Sequence, residues 1–237
     1  MAREEKLRSF SLTGLFLLSI LLSLALPAGT VSASNETTTG TITGTETWAG
    51  VHTLTGDVTI APGAKLIINP GATIEFPNGT HLDVRGSLCA GVSSCGASSN
   101  AGPAMRITLR WSEPLNSSAI GECYGMSSGN QEIWIDDPSC SEGVLMRSSI
   151  DLSETGLRYV TFDSAWGIPQ YVSAVGEFRY GALVLDGASP TLTELSFNQI
   201  NTSSVLTTNL AQPTFNGGEF AVGVDASKSI VGAALQI

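Results

Sequence analysis

GDVTIAPGAKLIINPGATIEFPNGTHLDVRGSL, residues Gly56–Leu88, alternates apolar and polar side chains in short runs. Val58 pairs with Ile60, Leu66 with Ile68, Ile74 with Phe76 and Leu82 with Val84. Period-two alternation puts one row of side chains on each face of a strand, so each run reads as a half-buried strand. Turn residues close every run: Pro62-Gly63, Pro70-Gly71, Asn78-Gly79 and Arg85-Gly86. Proline presets φ for a turn and glycine reaches positive φ without steric cost. Strands this short do not build a sandwich of ordinary strand length. They suit a solenoid in which each coil stacks on the one before. The interval of 22 residues from Ile60 to Leu82 is read as one coil.

Further along the chain, SPTLTELSF at Ser189–Phe197 aligns with QPTFNGGEF at Gln212–Phe220 at an offset of 23. Pro190 then falls on Pro213, Leu192 on Phe215 and Phe197 on Phe220, with Leu183 on Leu206 and Asp186 on Asn209. LRYVTF, Leu157–Phe162, fits Leu192–Phe197 at 35 residues, and the surplus is assigned to an insertion at GIPQYVSAVGEF. Asp163 should then stack on Asn198. Leu192, Phe197, Phe215 and Phe220 become core, each contributing roughly 1.5–3 kcal/mol by burial. The expected fold is all-β: a parallel β-helix of about 22–23 residues per coil with loop insertions.

The segment from Trp48 through GVHTLTGDVTIAPGAKLIINPGATIEF, Gly50–Phe76, resembles the opening of right-handed parallel β-helix domains of the pectate-lyase-like superfold in exported prokaryotic surface proteins. His52 stands where that opening carries an aromatic residue. The resemblance implies three short strands per coil. It carries over no catalytic residue, because this opening is structural.

Residues 1–33 read as a signal peptide. Arg3, Lys6 and Arg8 precede an apolar run, Leu12–Leu26, and then Val31-Ser32-Ala33 before Ser34. The run of about fifteen residues is shorter than the roughly 20 a spanning helix needs. No cysteine near the cleavage site offers a lipid anchor, and no second apolar run holds the mature chain in a membrane. The expected address is secreted or cell-surface. Residues 34–47, SNETTTGTITGTET, are Thr/Gly-rich without apolar periodicity and read as a flexible leader. Residues 48–237 form the β-helix, with Trp48 and Val51 covering its open end. Insertions are placed at about 89–105, 112–149 and 164–180. The still apolar FAVGVDASKSIVGAALQI segment reads as the middle of a longer solenoid, so the chain is taken as the N-terminal part of a larger surface protein.

The chain carries 11 Lys+Arg against 21 Asp+Glu. Removing the signal takes three basic and two acidic residues and leaves 8 against 19. Without a Lys/Arg patch to neutralise phosphates, nucleic acid is excluded as a partner. An extracellular glycan or another surface protein remains. The four cysteines, Cys89, Cys95, Cys123 and Cys140, are even in number in an exported chain, which favours disulfides. Of the three pairings, the local one, Cys89–Cys95 with Cys123–Cys140, is preferred. The spacings do not suit zinc. Four N-x-[ST] sequons, Asn35, Asn78, Asn116 and Asn201, would matter in an archaeal or eukaryotic exterior; Asn78 also belongs to an Asn-Gly turn.

No residue is assigned a catalytic or cofactor role. Inverting glycoside hydrolysis needs two carboxyl groups roughly 6.5–9.5 Å apart, for which Asp163 with Asp186, or Asp136 with Asp137, are the candidates. The hydrolase motifs of the resembled superfold (N-x-D, D-D, G-H-G on consecutive coils) are missing, as is the lyase surrounding for Arg158 and Arg179. A calcium ion at Asp136-Asp137 is the one cofactor reading, against a solvated acidic loop. The preferred function is a non-catalytic extracellular scaffold or adhesin-like module contacting glycans. The alternative is a polysaccharide lyase or glycoside hydrolase.

Overall fold

A computed structural model describes residues 36–112, 141–172, 177–200, 202–220 and 235–236. In chain order the strands are β1 (Glu36–Ile42), β2 (Thr45–Trp48), β3 (Val51–Ile60), β4 (Lys65–Ile68), β5 (Thr73–Phe76), β6 (His81–Val84), β7 (Ser87–Ala90) and β8 (Ile107–Trp111). They continue with β9 (Gly143–Arg147), β10 (Gly156–Arg158), β11 (Val160–Asp163), β12 (Ile168–Val172), β13 (Glu177–Asp186), β14 (Thr191–Asn198), β15 (Ser203–Thr208), β16 (Thr214–Glu219) and β17 (Leu235–Gln236).

These strands stack in parallel on three faces, which is a parallel β-helix. Sheet I contains β2, β4, β7, β10 and the first halves of β14 and β16. Sheet II runs from the first halves of β1 and β3 through β5, β8 and β11 to the second halves of β14 and β16. Sheet III takes the second halves of β1 and β3, then β6, β9, β13, β15 and β17. Among the described strands, β12 and β13 form an antiparallel exception, a hairpin at the expected Gly167–Phe178 insertion.

The alternation predicted from Gly56–Leu88 is the core. Val58, Ile60, Leu66, Ile68, Ile74, Phe76, Leu82 and Val84 are all at most 1% exposed. On sheet II one inward column reads His52, Ile74, Leu109, Phe162, Phe197. Its rings stack: Phe162 on Phe197 at 4.8 Å, and Phe197 on Phe220 at 5.6 Å. The repeats at offsets 23 and 35 are ladder partners, with Leu192↔Phe215, Leu157↔Leu192 and Asp163↔Asn198.

Four expectations need correction. The Thr-rich stretch read as a flexible leader contributes β1 and β2, paired in parallel with β3 and β4. Ladder bonds use backbone groups that any sequence has, and threonine fits a half-buried pleat. Ile42 and Trp48 supply the inward apolar contacts. The core is closed at that level by polar chemistry. Trp48 Nε1 and the Thr38 hydroxyl donate to Glu46, and His52 stacks on Trp48 at 4.3 Å, 2.9 Å from the Thr38 hydroxyl. Val51, expected to help cover the end, is 39% exposed.

The third correction concerns register. Ile60 pairs with Val84, not Leu82, because the Pro77–Thr80 corner is longer than its counterpart in the uninterrupted β3. Likewise Leu183 pairs with Val205 and Asp186 with Thr208. Lastly, the insertion assigned to 112–149 ends earlier: β9 lies inside that range and buries Val144 and Met146 in the core.

Candidate functional site

The two aspartates proposed as a hydrolytic pair are on different sheets. Asp163 ends β11 on sheet II and accepts from Arg110 Nε at 3.1 Å. Asp186 ends β13 on sheet III and accepts from Arg147 Nη1 at 3.3 Å, the Thr208 hydroxyl and Asn209 Nδ2. Arg147 Nε also reaches Asp83 at 3.2 Å, and Asp83 accepts from Arg85 at 2.7 Å. An ion-paired ladder, Arg85–Asp83–Arg147–Asp186, therefore climbs sheet III. Carboxylate oxygens held this way brace coils and are occupied by guanidinium groups. Neither histidine joins them: His52 is in the closed end of the core, and His81 lies 3.1 Å from Asp57. Among the described residues, no group of three His, Cys, Asp or Glu side chains is placed to hold a metal. Asp136 and Asp137 lie outside the described residues.

Cys89 and Cys95 form the expected disulfide, with Cα atoms 5.8 Å apart. The bond folds the Gly91–Gly102 excursion onto the outside of sheet I, where Cys89, Cys95 and Ala97 pack with Ile67 and Val92. Side-chain acceptors hold it, Asn69 from Ser98 N–H and Asn100 from Ser93 N–H, both short enough to fix the loop. Cys123, Cys140, Asn35, Asn116 and Asn201 lie outside the described residues. Asn78 is exposed at its corner. No helix among the described residues is long and apolar enough to cross a membrane.

The corner between sheets II and III lies between β8 and β9 and again between β11 and β13, and the β12–β13 hairpin stands at the second of these passages. The outward side chains of sheet III beside it, Leu145, Val184 and Leu206, are buried with Ile168 of the hairpin as a second apolar layer. At its base Glu142 is fully buried. Its carboxylate accepts the backbone N–H of Gly79 and of Trp166, both at 2.9 Å. Burial raises its pKa above the ordinary value, opposed by these two hydrogen bonds. Sequence reasoning missed Glu142 because no pattern separates it from the polar segment before it.

Sheet II presents a different outer surface. Its ladder aligns Val51, Thr73, Thr108, Thr161 and Ser196 in one outward column, and Thr53, Glu75, Arg110, Asp163 and Asn198 in the next. The second column is knitted by Thr53–Glu75 and Arg110–Asp163 contacts, each at 3.1 Å. At the adjoining corner with sheet I, Arg106 and Arg158 both stand over the Tyr159 ring.

No family model, curated protein or solved structure matches this chain.

Proposed function

We propose that the chain is a non-catalytic extracellular β-helix scaffold, an adhesin-like surface module that contacts glycans through the outside of sheet II. The observation that carries this reading is the outward column Thr73, Thr108 and Ser196 beside paired charges, with Thr161 of the same column buried and accepting from Arg106. Hydroxyl groups at the spacing of stacked strands, roughly 4.7–4.9 Å, both donate and accept toward sugar hydroxyls. Export rests on the charged, apolar and small-residue segments of residues 1–33. The opening motif supports kinship with the pectate-lyase-like superfold, and a right-handed coil agrees with the usual sense of parallel crossovers.

The enzymatic alternative has one observation in its favour: the II/III corner carries the β12–β13 hairpin, which lies over the outer face of sheet III. Incubating the secreted protein with a panel of polysaccharides separates the readings. The scaffold retains glycan and returns it uncut. New reducing ends or unsaturated products would overturn the scaffold reading in favour of a hydrolase or a lyase.

A further inference from the structure

Asparagine followed by glycine occurs twice in the chain, at Asn78-Gly79 and at Asn216-Gly217. Glycine has no Cβ to keep its backbone nitrogen away from the preceding side chain, so such a pair can modify itself. The glycine nitrogen attacks Cγ of the asparagine. The N–Cγ bond forms, the bond from Cγ to Nδ2 breaks, and ammonia leaves with the proton that the glycine nitrogen gives up. Water then opens the cyclic imide at one carbonyl or the other, leaving aspartate or its β-linked isomer, isoaspartate. Water is the one reagent consumed.

The peptide unit is planar, so the incoming Cγ must take the in-plane position that the glycine hydrogen held. The direction of that N–H therefore decides which site reacts. At the first site the direction is taken. Gly79 is buried, and its N–H donates to the fully buried carboxylate of Glu142 at 2.9 Å. Asn78 is exposed, yet its Cγ would have to displace a carboxylate that also holds the Trp166 N–H at 2.9 Å. The turn itself is closed by the Thr80 N–H and hydroxyl, which donate to the Pro77 carbonyl at 3.3 and 2.7 Å.

The second site is open. Asn216 and Gly217 are both exposed on β16. Gly217, at φ 74°, takes the left-handed position at the corner of sheets I and II that Glu194 holds at 53° and Tyr159 at 51° on earlier coils. There the Tyr159 N–H donates to the Thr193 carbonyl of the next coil at 2.9 Å. Among the described residues β16 is the last strand of sheets I and II, so no described strand offers Gly217 such a carbonyl. A base stands beside it instead. The three atoms nearest the place of a Gly217 Cβ all belong to the Glu194 carboxylate, which can accept the amide proton as attack proceeds.

We propose that Asn216 is a self-modification site that converts to aspartate and isoaspartate, and that Glu142 withholds Asn78 from the same reaction. Isoaspartate adds a methylene to the main chain at the Thr193↔Asn216 rung, so the product loosens the last described rung and spares the coils below.

The test is incubation of the full chain at mildly alkaline pH, in buffer and in guanidinium chloride, followed by proteolysis and mass spectrometry of the two peptides. In buffer Asn216 converts at least about ten-fold faster than Asn78, since reaction at Asn78 first requires a buried N–H to give up its acceptor. In denaturant the two rates draw together. Both readings come from the parent protein and need no variant to fold. Glu142→Ala raises the Asn78 rate in buffer about ten-fold, whereas Phe197→Ala, which loosens the core elsewhere, leaves it slow. Equal rates in buffer, faster conversion at Asn78, or an Asn216 that stays intact in buffer overturns the proposal. A gap that persists in denaturant assigns the difference to local sequence and overturns the shielding. An Asn78 rate indifferent to Glu142→Ala, or raised as much by Phe197→Ala, overturns it too.

Discussion

The Glu142 carboxylate and the Trp166 backbone N–H meet at 2.9 Å across two coils, while the other carboxylate oxygen holds Gly79 N–H of a third. Backbone bonds between Glu142 and Gly167 in both directions, at 3.1 and 2.9 Å, make the joint double. One buried side chain thus ties together successive passages of the II/III corner.

Replacing it exposes that dependence. Glu142→Ala strips two buried N–H groups of their acceptor, each loss worth about 1–3 kcal/mol. The expected destabilisation is about 2–5 kcal/mol by urea unfolding. Glu142→Gln keeps one acceptor oxygen but turns an amide donor toward the second N–H, and should fall between alanine and the parent.

The same residue sets a pH slope. Its pKa in the folded protein lies above the ordinary 4.5, chiefly through burial. Between that value and the raised one the folded state holds a proton that the unfolded chain has released. The Glu142 contribution to stability is therefore full below about 4.5 and declines as pH rises through the window. Thermal melts across this range should show a decline in the parent that Glu142→Gln flattens; parallel profiles would refute the assignment.

The ring stack predicts a graded series. Phe197 is fully buried between Phe162 and Phe220, so Phe197→Ala should cost about 3–5 kcal/mol. Phe220 is only partly buried, and Phe220→Ala should cost clearly less. Equal losses in chemical denaturation would mean that the column is not continuous.

Two glycines at the III/I corner separate backbone strain from steric exclusion. Gly63 has φ +78° with open space where a Cβ would go, so Gly63→Ala should cost about 1–2 kcal/mol. Gly86 lacks that φ, but its Cβ would lie 2.3 Å from the carbonyl oxygens of Ala61 and Ala64. Gly86→Ala must move backbone and should be the more damaging of the two in melting temperature.

Reduction of Cys89–Cys95 tests the sheet I lobe. The bond closes a loop of sequence separation 6, for which the chain-entropy model gives roughly 2 kcal/mol. Hydrogen exchange should rise over 91–102 on reduction while β4 and β7 stay protected. Loss of protection throughout sheet I would show that the lobe is integral to the stack.

Which register was legible from residues alone follows from what alternation can reveal. Leu157, Leu192 and Phe215 align at the right offsets because polar neighbours flank them on a solvent-facing sheet. On sheet III the signal disappears. Val144-Leu145-Met146 and Leu183-Val184-Leu185 are apolar on both faces, since Leu145, Val184 and Leu206 sit beneath the hairpin. A leucine there can belong to either side, so the offset of 23 puts Leu183 on Leu206, whereas its partner is Val205. The β1–β2 coil was hidden for the opposite reason, having few apolar residues to alternate. Arg106 and Tyr159 stand 53 residues apart, and only the ladder brings them to one corner.

The way Phe76 pairs with Trp111 and His81 with Gly143, despite the long segment between the later pair, has an evolutionary reading. Length change at the II/III corner is absorbed without disturbing the rungs on either side. Replacing one such connection by another, by evolution or by grafting, would leave the rungs on either side in register.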